Sequence, residues 1–94
     1  FVVEAVSESE KVKAAIFGEL GQLLPPPVVL ASNTSSIPIT AIAASARAPE
    51  RVIGMHFMNP VPVMKLVEVI TGLQTSRAAL DTTLALCQRM GKST

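Results

Sequence analysis

One histidine and one carboxylate have the residue types and spacing that proton transfer requires. His56 is the single histidine of the chain and ends an apolar, strand-like run just before an Asn-Pro pair, and Glu68 follows twelve residues later inside a second apolar run. Histidine changes charge near neutral pH, and a carboxylate on its far nitrogen fixes the tautomer and stabilises the imidazolium. The pair suits general acid–base catalysis. A histidine in an apolar run is also common as a core or loop residue, however, and a lone glutamate in a strand commonly faces solvent.

The composition limits the classes of protein to which the chain can belong. The 94 residues are 49% hydrophobic and 16% charged, with a net charge of +1, which indicates a globular chain. The sequence has no basic cluster and its only aromatic residues are 3 phenylalanines, which argues against nucleic-acid binding. No apolar run approaches the roughly 18–20 residues that span a bilayer. A single cysteine forms no internal disulfide, so we expect a reducing intracellular compartment, either cytoplasm or an organelle matrix.

Segments typical of strands alternate along the chain with segments typical of helices. The predicted elements, in chain order, are a strand at 1–6, a helix with a Ser7/Glu10 capping box that ends at Pro25–Pro27, a strand at Val28–Ala31, a short helix at Ile39–Ala46 with Pro38 or Thr40 near its start, strands at Arg51–Phe57 and Lys65–Ile70, and a helix from Ser76 to Met90 stopped by Gly91. This alternation predicts an α/β fold with a parallel sheet covered on both faces.

The periodicity of the two longer helices predicts which of their faces is buried. The first helix is expected to bury Val12, Ile16, Leu20 and Leu23, and the last to bury Leu80, Leu84 and Cys87. At that position Cys87 is better explained as a small buried hydrophobe than as a reactive thiol.

Polar residues follow three of the predicted strands. They are Ser7–Glu8 after the first strand, Asn33–Ser36 after the second and His56–Asn59 after the third. In sheets of this class, ligands bind beyond the carboxyl ends of the strands. The three segments are therefore expected to converge on one site.

Two of these segments also resemble a known family. Ala31–Ile37 (ASNTSSI) and Gly54–Val69 (GMHFMNPVPVMKLVEV) closely resemble the NAD-binding domain of L-3-hydroxyacyl-CoA dehydrogenases, in the family's order and at its separation. The resemblance extends from Phe1 to about Lys92 and is closest to the 3-hydroxybutyryl-CoA type, which the stretch Asn59–Met64 favours over the multifunctional enzymes. It implies a Rossmann-like, mainly parallel, doubly wound sheet, NAD as cofactor and an acyl-CoA as substrate. It also implies a homo-oligomer formed through regions outside this chain.

The resemblance assigns roles to four residues around the substrate. His56 matches the histidine that removes the proton from the 3-hydroxyl while hydride leaves the same carbon for NAD, and Glu68 matches its partner carboxylate. Ser35 matches a serine that contacts substrate, although Asn-Thr-Ser-Ser after a strand is more often a turn or helix cap. Asn59 matches an asparagine near nicotinamide and substrate, a role compatible with simply ending the strand.

The resemblance also implies two cofactor contacts. Glu8 matches a residue on the nicotinamide-side ribose, whose two hydroxyls suit a carboxylate, and Lys13 matches a second contact. The alternative for Lys13 is a solvated helical lysine. The acidic segment Ser7–Glu10 argues against pyrophosphate binding at this helix start.

One expected motif is missing from the sequence. No glycine-rich turn of the kind that holds a pyrophosphate is present. The resemblance explains this if residues 1–94 are a partial NAD-binding domain, its C-terminal half, with the glycine-rich N-terminal half and the helical C-terminal domain absent from the chain.

Two classes of function remain open. The first is an oxidoreductase that interconverts L-3-hydroxyacyl-CoA and 3-oxoacyl-CoA, with His56 as base and acid assisted by Glu68. The second is a truncated, non-catalytic structural or interaction module derived from the same fold, because fold alone does not guarantee activity.

Overall fold

The architecture alternates strands and helices as the sequence predicts. The structure is a computed structural model that describes residues 1–6, 8–25, 27–34, 37–44, 46, 48–58 and 61–94. Within these residues the elements are β1 (Val2–Glu4), α1 (Glu10–Leu23), β2 (Leu30–Ser32), α2 (Ile39–Ala43), a 3-10 turn (Pro49–Arg51), β3 (Val52–Phe57), β4 (Val67–Thr71) and α3 (Arg77–Arg89). Each predicted strand and helix is present, with somewhat shifted or shorter bounds.

The strands in the described ranges form a single sheet in the order β1-β2-β3-β4. β1, β2 and β3 are parallel, and each is connected to the next through a helix. β4 departs from the expected parallel pattern and runs antiparallel to β3. The reason is local, because a parallel partner needs a long crossover and no described helix separates these two strands. The prediction of a mainly parallel α/β sheet is confirmed.

Helices cover both faces of the sheet, as predicted. Successive strand residues point to opposite faces, so Leu30 and Val52 join one buried cluster while Ala31 and Ile53 join the other. The first cluster packs under α1 and α2 and consists of Phe17, Leu30, Ile39, Ile42, Ala43, Ala46 and Val52. The second packs under α3 and consists of Val29, Ala31, Ile53, Met55, Val67, Ala79 and Cys87.

The start and the buried face of α1 differ from the prediction. The cap is Ser9, whose hydroxyl accepts a hydrogen bond from the Val12 backbone N–H. Glu10 is therefore the first residue of the helix, whereas the predicted capping box made it the third residue after a cap at Ser7. Ser7 itself lies outside the described residues. The buried residues are Lys13, Phe17 and Gly21, whereas Val12 and Leu23 are exposed. The face that carries Lys13, Phe17 and Gly21 is turned towards the sheet, because Phe17 fills the core and Lys13 has a buried partner, described below.

The buried face of α3 also differs, although Ser76 caps the helix as predicted. Ala79, Thr83 and Cys87 are buried, Leu80 is partly buried and Leu84 is exposed. The Thr83 hydroxyl is satisfied within the helix because it donates to the Ala79 carbonyl at 2.8 Å. Burial raises the pKa of the Cys87 thiol, which keeps it protonated and agrees with the prediction of a packing role.

Candidate functional site

The hairpin of β3 and β4 places His56 directly opposite Glu68. The two residues are partners in the antiparallel register, and side chains so placed have Cβ atoms about 4.5–5.5 Å apart on the same face of a sheet. His56 Nδ1 lies 3.0 Å from Glu68 Oε1, a hydrogen-bonding distance. The side chains are 27% and 54% exposed, so the pair lies at the surface where a substrate could reach it.

The segment after α3 fixes the turn that joins these two strands. Lys92 Nζ donates to the carbonyls of Val61 and Met64 at 2.7 and 2.8 Å. Ser93 then pairs with the start of β4, because its N–H donates to Lys65 O and its carbonyl accepts from Val67 N, both at 2.8 Å. The entry of β4, and with it the position of Glu68, is thus tied to the end of α3.

The carboxyl ends of the three parallel strands are linked to one another by hydrogen bonds. After β1, Glu8 Oε2 accepts from Thr34 Oγ1 of the turn after β2 at 3.0 Å. Asn33 N donates to the Glu4 carbonyl at 2.8 Å. Asn33 Oδ1 in turn accepts from Phe57 N at 3.1 Å, at the end of β3. The structure therefore brings Glu8, the turn after β2 and the His56 strand end together, as the sequence pattern predicted.

Two other predicted site residues cannot be placed in this arrangement. Ser35 and Asn59 lie outside the described residues. Their neighbours in the chain, Thr34 and Met58, lie at the carboxyl ends of β2 and β3.

A buried charged cluster at the ends of β1 and β2 was missed at the sequence level. Lys13 Nζ donates to both carboxylate oxygens of Glu4 at 2.8 Å, and Ser32 Oγ donates to Glu4 Oε1 at 2.7 Å. The Val6 backbone N–H donates to the other oxygen, Glu4 Oε2, at 2.8 Å. A signal existed, because Glu4 ends an apolar strand, where an unpaired charge would be costly to bury.

This environment determines the ionisation of Glu4. Burial alone would raise the pKa of the Glu4 carboxyl, but the hydrogen bonds from Lys13, Ser32 and Val6 and the positive charge of Lys13 together lower it. Glu4 and Lys13 therefore form a buried ion pair in which both groups are charged.

The position of Lys13 overturns one of the two interpretations of that residue. Its side chain is 0% exposed, so a solvated helical lysine is wrong. A direct contact between Lys13 and a cofactor stays a prediction, and it would require neighbouring groups to move aside.

At the opposite end of the sheet, the described polar contacts stabilise the fold. A cavity of about 280 Å³ lies there, lined by residues at the starts of β2, β3 and α3, among them Val29, Glu50, Arg51 and Ser76. The buried Arg51 guanidinium donates to the carbonyls of Gly21 and Leu24, the orphan acceptors at the end of α1. Arg51 thus closes a helix end at a distance from the His56 site.

The described residues include no group of three or more His, Cys, Asp or Glu side chains arranged to hold a metal ion. They also include no helix long and apolar enough to cross a membrane.

Comparison with known proteins identifies the family. Residues 1–94 match the family model described as 3-hydroxyacyl-CoA dehydrogenase, NAD binding domain. A probable 3-hydroxybutyryl-CoA dehydrogenase of Bacillus subtilis (strain 168) is 56% identical over 92 residues, which are 98% of this chain and 32% of that protein. A fatty acid oxidation complex subunit alpha of Acinetobacter baylyi is 48% identical over 92 residues, 98% of this chain and 13% of that one. A crystal structure of 3-hydroxybutyryl-CoA dehydrogenase from Escherichia coli K12 superposes with a TM-score of 0.95 at 51% identity, covering 98% of this chain and 20% of that chain.

These matches assign the chain to a domain of a family and not to a whole protein. The chain spans about a third of the length of the Bacillus relative and a smaller share of the longer proteins. The matched model is the NAD-binding domain as such, and the match does not support the narrower assignment to a C-terminal half. The domain and its cofactor, NAD, agree with the resemblance found in the sequence. The chain belongs to the 3-hydroxyacyl-CoA dehydrogenase family, within its NAD-binding domain.

Proposed function

We propose that the full-length protein carrying this chain is an NAD-dependent 3-hydroxyacyl-CoA dehydrogenase in which His56 is the general base and acid. The observation that carries the proposal is the 3.0 Å contact between His56 Nδ1 and Glu68 Oε1 at the end of β3. Because the carboxylate engages Nδ1, the substrate-side nitrogen is Nε2. This nitrogen takes the proton of the 3-hydroxyl during oxidation and returns it during reduction.

Glu68 acts through His56 in this mechanism. Its negative charge stabilises the imidazolium that forms when the substrate proton arrives, and its hydrogen bond keeps the proton of the neutral ring on Nδ1. Both effects depend on the register of β3 and β4, which places the two residues opposite each other.

The described residues near the strand ends fit NAD. Glu8 is exposed at the carboxyl ends of β1 and β2, and it already accepts a hydrogen bond from the hydroxyl of Thr34. A carboxylate that accepts from one hydroxyl suits the hydroxyls of a ribose, so Glu8 would hold the nicotinamide-side ribose. When bound, NAD supplies the acceptor for the hydride that leaves the carbon bearing the hydroxyl.

Three further residues complete the proposal. Ser35 and Asn59 contact the substrate, and Lys13 contributes to the cofactor site. Support for the first two is their place in the ASNTSSI and HFMNP segments, next to the described strand ends. Support for Lys13 is its link through Glu4 to the loop that leads to Glu8.

The remaining parts of the enzyme are proposed to lie elsewhere in the full-length protein. They are the glycine-rich turn that holds the pyrophosphate and the helical domain that forms the homo-oligomer. The sequence of this chain contains no such turn. An acyl-CoA of the 3-hydroxybutyryl type is the proposed substrate, because the Bacillus and Escherichia relatives are named as 3-hydroxybutyryl-CoA dehydrogenases.

A direct assay tests this function. The full-length protein should reduce NAD in the presence of L-3-hydroxybutyryl-CoA, followed by the absorbance of NADH, and should not do so with the D enantiomer. If a protein that binds NAD reduces it neither with L-3-hydroxybutyryl-CoA nor with a longer L-3-hydroxyacyl-CoA, the proposal is contradicted and the non-catalytic module is favoured.

A further inference from the structure

We propose that Asn33 is a positioning residue for His56, because its side-chain oxygen holds the end of β3 where the neighbouring strand no longer reaches. The inference rests on the proposed role of His56. It concerns a residue of the turn after β2 to which no role has been assigned.

The pairing of β2 with β3 stops before the His56 end of the strand. The paired residues are Leu30 with Val52, Ala31 with Ile53 and Ser32 with Gly54. β3 continues to Phe57, so its last residues extend beyond β2. On its other side the strand stays paired with β4 as far as Phe57. The final part of β3 is therefore held by a neighbouring strand on one side only.

The Asn33 side chain supplies a contact on the other side. Its Oδ1 accepts from the Phe57 backbone N–H at 3.1 Å, in place of the next backbone carbonyl that a longer β2 would have offered. Phe57 directly follows His56, so this bond fixes the peptide group between the two residues. The backbone of His56 is thus held from both sides, by β4 and by Asn33.

Asn33 is itself well supported. It directly follows Ser32, the last residue of β2, which is 0% exposed and donates to the buried Glu4 carboxylate. The backbone N–H of Asn33 donates to the Glu4 carbonyl at 2.8 Å. The Asn33 Oδ1 that accepts from Phe57 N is therefore held in place by the hydrogen-bonded ends of β1 and β2.

The expected consequence is a loss of turnover when the oxygen is removed. A base must lie within hydrogen-bonding reach of the proton that it takes, and a displacement of about 1 Å can cost on the order of a hundredfold in rate. Because the bond acts on the end of the strand that carries His56, kcat should change much more than the KM for NAD.

Two variants of the full-length protein separate the oxygen from the size of the side chain. Asn33→Leu keeps the size and removes the acceptor, whereas Asn33→Asp keeps an oxygen at the same position. We expect kcat to fall by about tenfold or more in Asn33→Leu and to be largely retained in Asn33→Asp. Hydrogen exchange of the Phe57 amide should accelerate in the leucine variant only. Gln22→Leu, an exposed amide on α1, is the matched control and should change neither quantity.

The possible outcomes are distinct. Unchanged kcat in Asn33→Leu, or equal loss in the leucine and aspartate variants, would overturn the inference. If the leucine variant does not fold, Asn33→Ala with the same exchange measurement takes its place. His56→Ala is assayed in parallel: an active His56→Ala enzyme would refute the proposed function, whereas an inactive one beside a fully active Asn33→Leu would refute only the role of Asn33.

Discussion

His56 is presented by contacts on both sides of its strand rather than by deep burial. Its ring is 27% exposed and Glu68 is 54% exposed. A hydrogen-bonded pair so open to water contributes little to stability, typically below about 1 kcal/mol. The arrangement therefore supports the proposed role of the pair, which is to orient a base that a substrate can reach, rather than a stabilising role.

The first prediction concerns the charge of Glu68. In the full-length protein, Glu68→Gln keeps the shape and a hydrogen-bonding oxygen but removes the negative charge that is proposed to stabilise the imidazolium. We expect kcat to fall on the order of tenfold, less than for removal of the base itself, with little change in the melting temperature. Steady-state kinetics measures the effect, and Glu19→Gln, an exposed glutamate on α1, serves as control. Normal kcat in Glu68→Gln would leave Glu68 as a solvent-facing strand residue.

At the scale of elements, local patterns predicted the helices and strands but not their partners. The run before His56 and the cap at Ser76 are local signals, and both elements are present. The direction of β4 and the burial of Lys13 depend on what a segment packs against. An amphipathic pattern that counts only apolar residues excludes a lysine from the buried face, so it misses a lysine that is paired with a buried carboxylate.

The second prediction concerns the buried pair of Glu4 and Lys13. The pKa of Glu4 is lowered in the folded state, since the hydrogen bonds and the charge of Lys13 outweigh burial. A lowered pKa contributes stability that is present above the unfolded value, about 4.5, and is lost as the pH falls through the folded value. The melting temperature of the full-length protein should therefore decline below about pH 4.5, and this part of the decline should be smaller in Glu4→Gln.

The same variant tests the pairing itself. Glu4→Gln leaves the Lys13 ammonium buried without its counter-charge, which should cost about 3–5 kcal/mol of stability. The double variant Glu4→Gln/Lys13→Met should recover much of that loss. If the single and double variants melt at the same temperature, with the same dependence on pH, the two residues do not form the pair.

The third prediction concerns the turn between β3 and β4. Lys92→Met removes the two donations to Val61 and Met64, each a charge-assisted hydrogen bond. Amide exchange over residues 61–67 should accelerate and kcat should fall, whereas Lys92→Arg should retain part of both. Lys11→Met, an exposed lysine on α1, is the control. Unchanged exchange in Lys92→Met would show that the turn does not depend on the lysine.

At the scale of the whole molecule, the sequence predicted which strand ends converge better than it predicted the hydrogen bonds between them. Parallel strands bring their carboxyl ends to one edge, so the convergence of Glu8, Asn33 and the His56 end followed from the order of elements alone. The hydrogen bonds that join these residues could not be predicted from the order of elements, because each links residues 24 or more positions apart, as with Asn33 and Phe57 or Thr34 and Glu8. Such contacts depend on the register of the assembled sheet.

The fourth prediction concerns the 94-residue chain on its own. β1 lies at an edge of the sheet in the described residues, and Phe1, Val3 and Val6 are 41%, 41% and 64% exposed. An apolar edge with unpaired backbone groups promotes association. The isolated chain should therefore oligomerise or aggregate, as sedimentation would show, and calorimetry should detect little NAD binding. A monomer that binds NAD with micromolar affinity would contradict the proposal that part of the cofactor site lies elsewhere.

The central claim is that His56 transfers the proton of the substrate hydroxyl. The most direct test is the turnover of full-length His56→Ala with L-3-hydroxybutyryl-CoA and NAD, with NAD affinity measured separately by calorimetry. We expect a loss in kcat of roughly a hundredfold or more, the usual scale for losing a general base, with nearly unchanged NAD affinity. Turnover near that of the unmodified enzyme would contradict it.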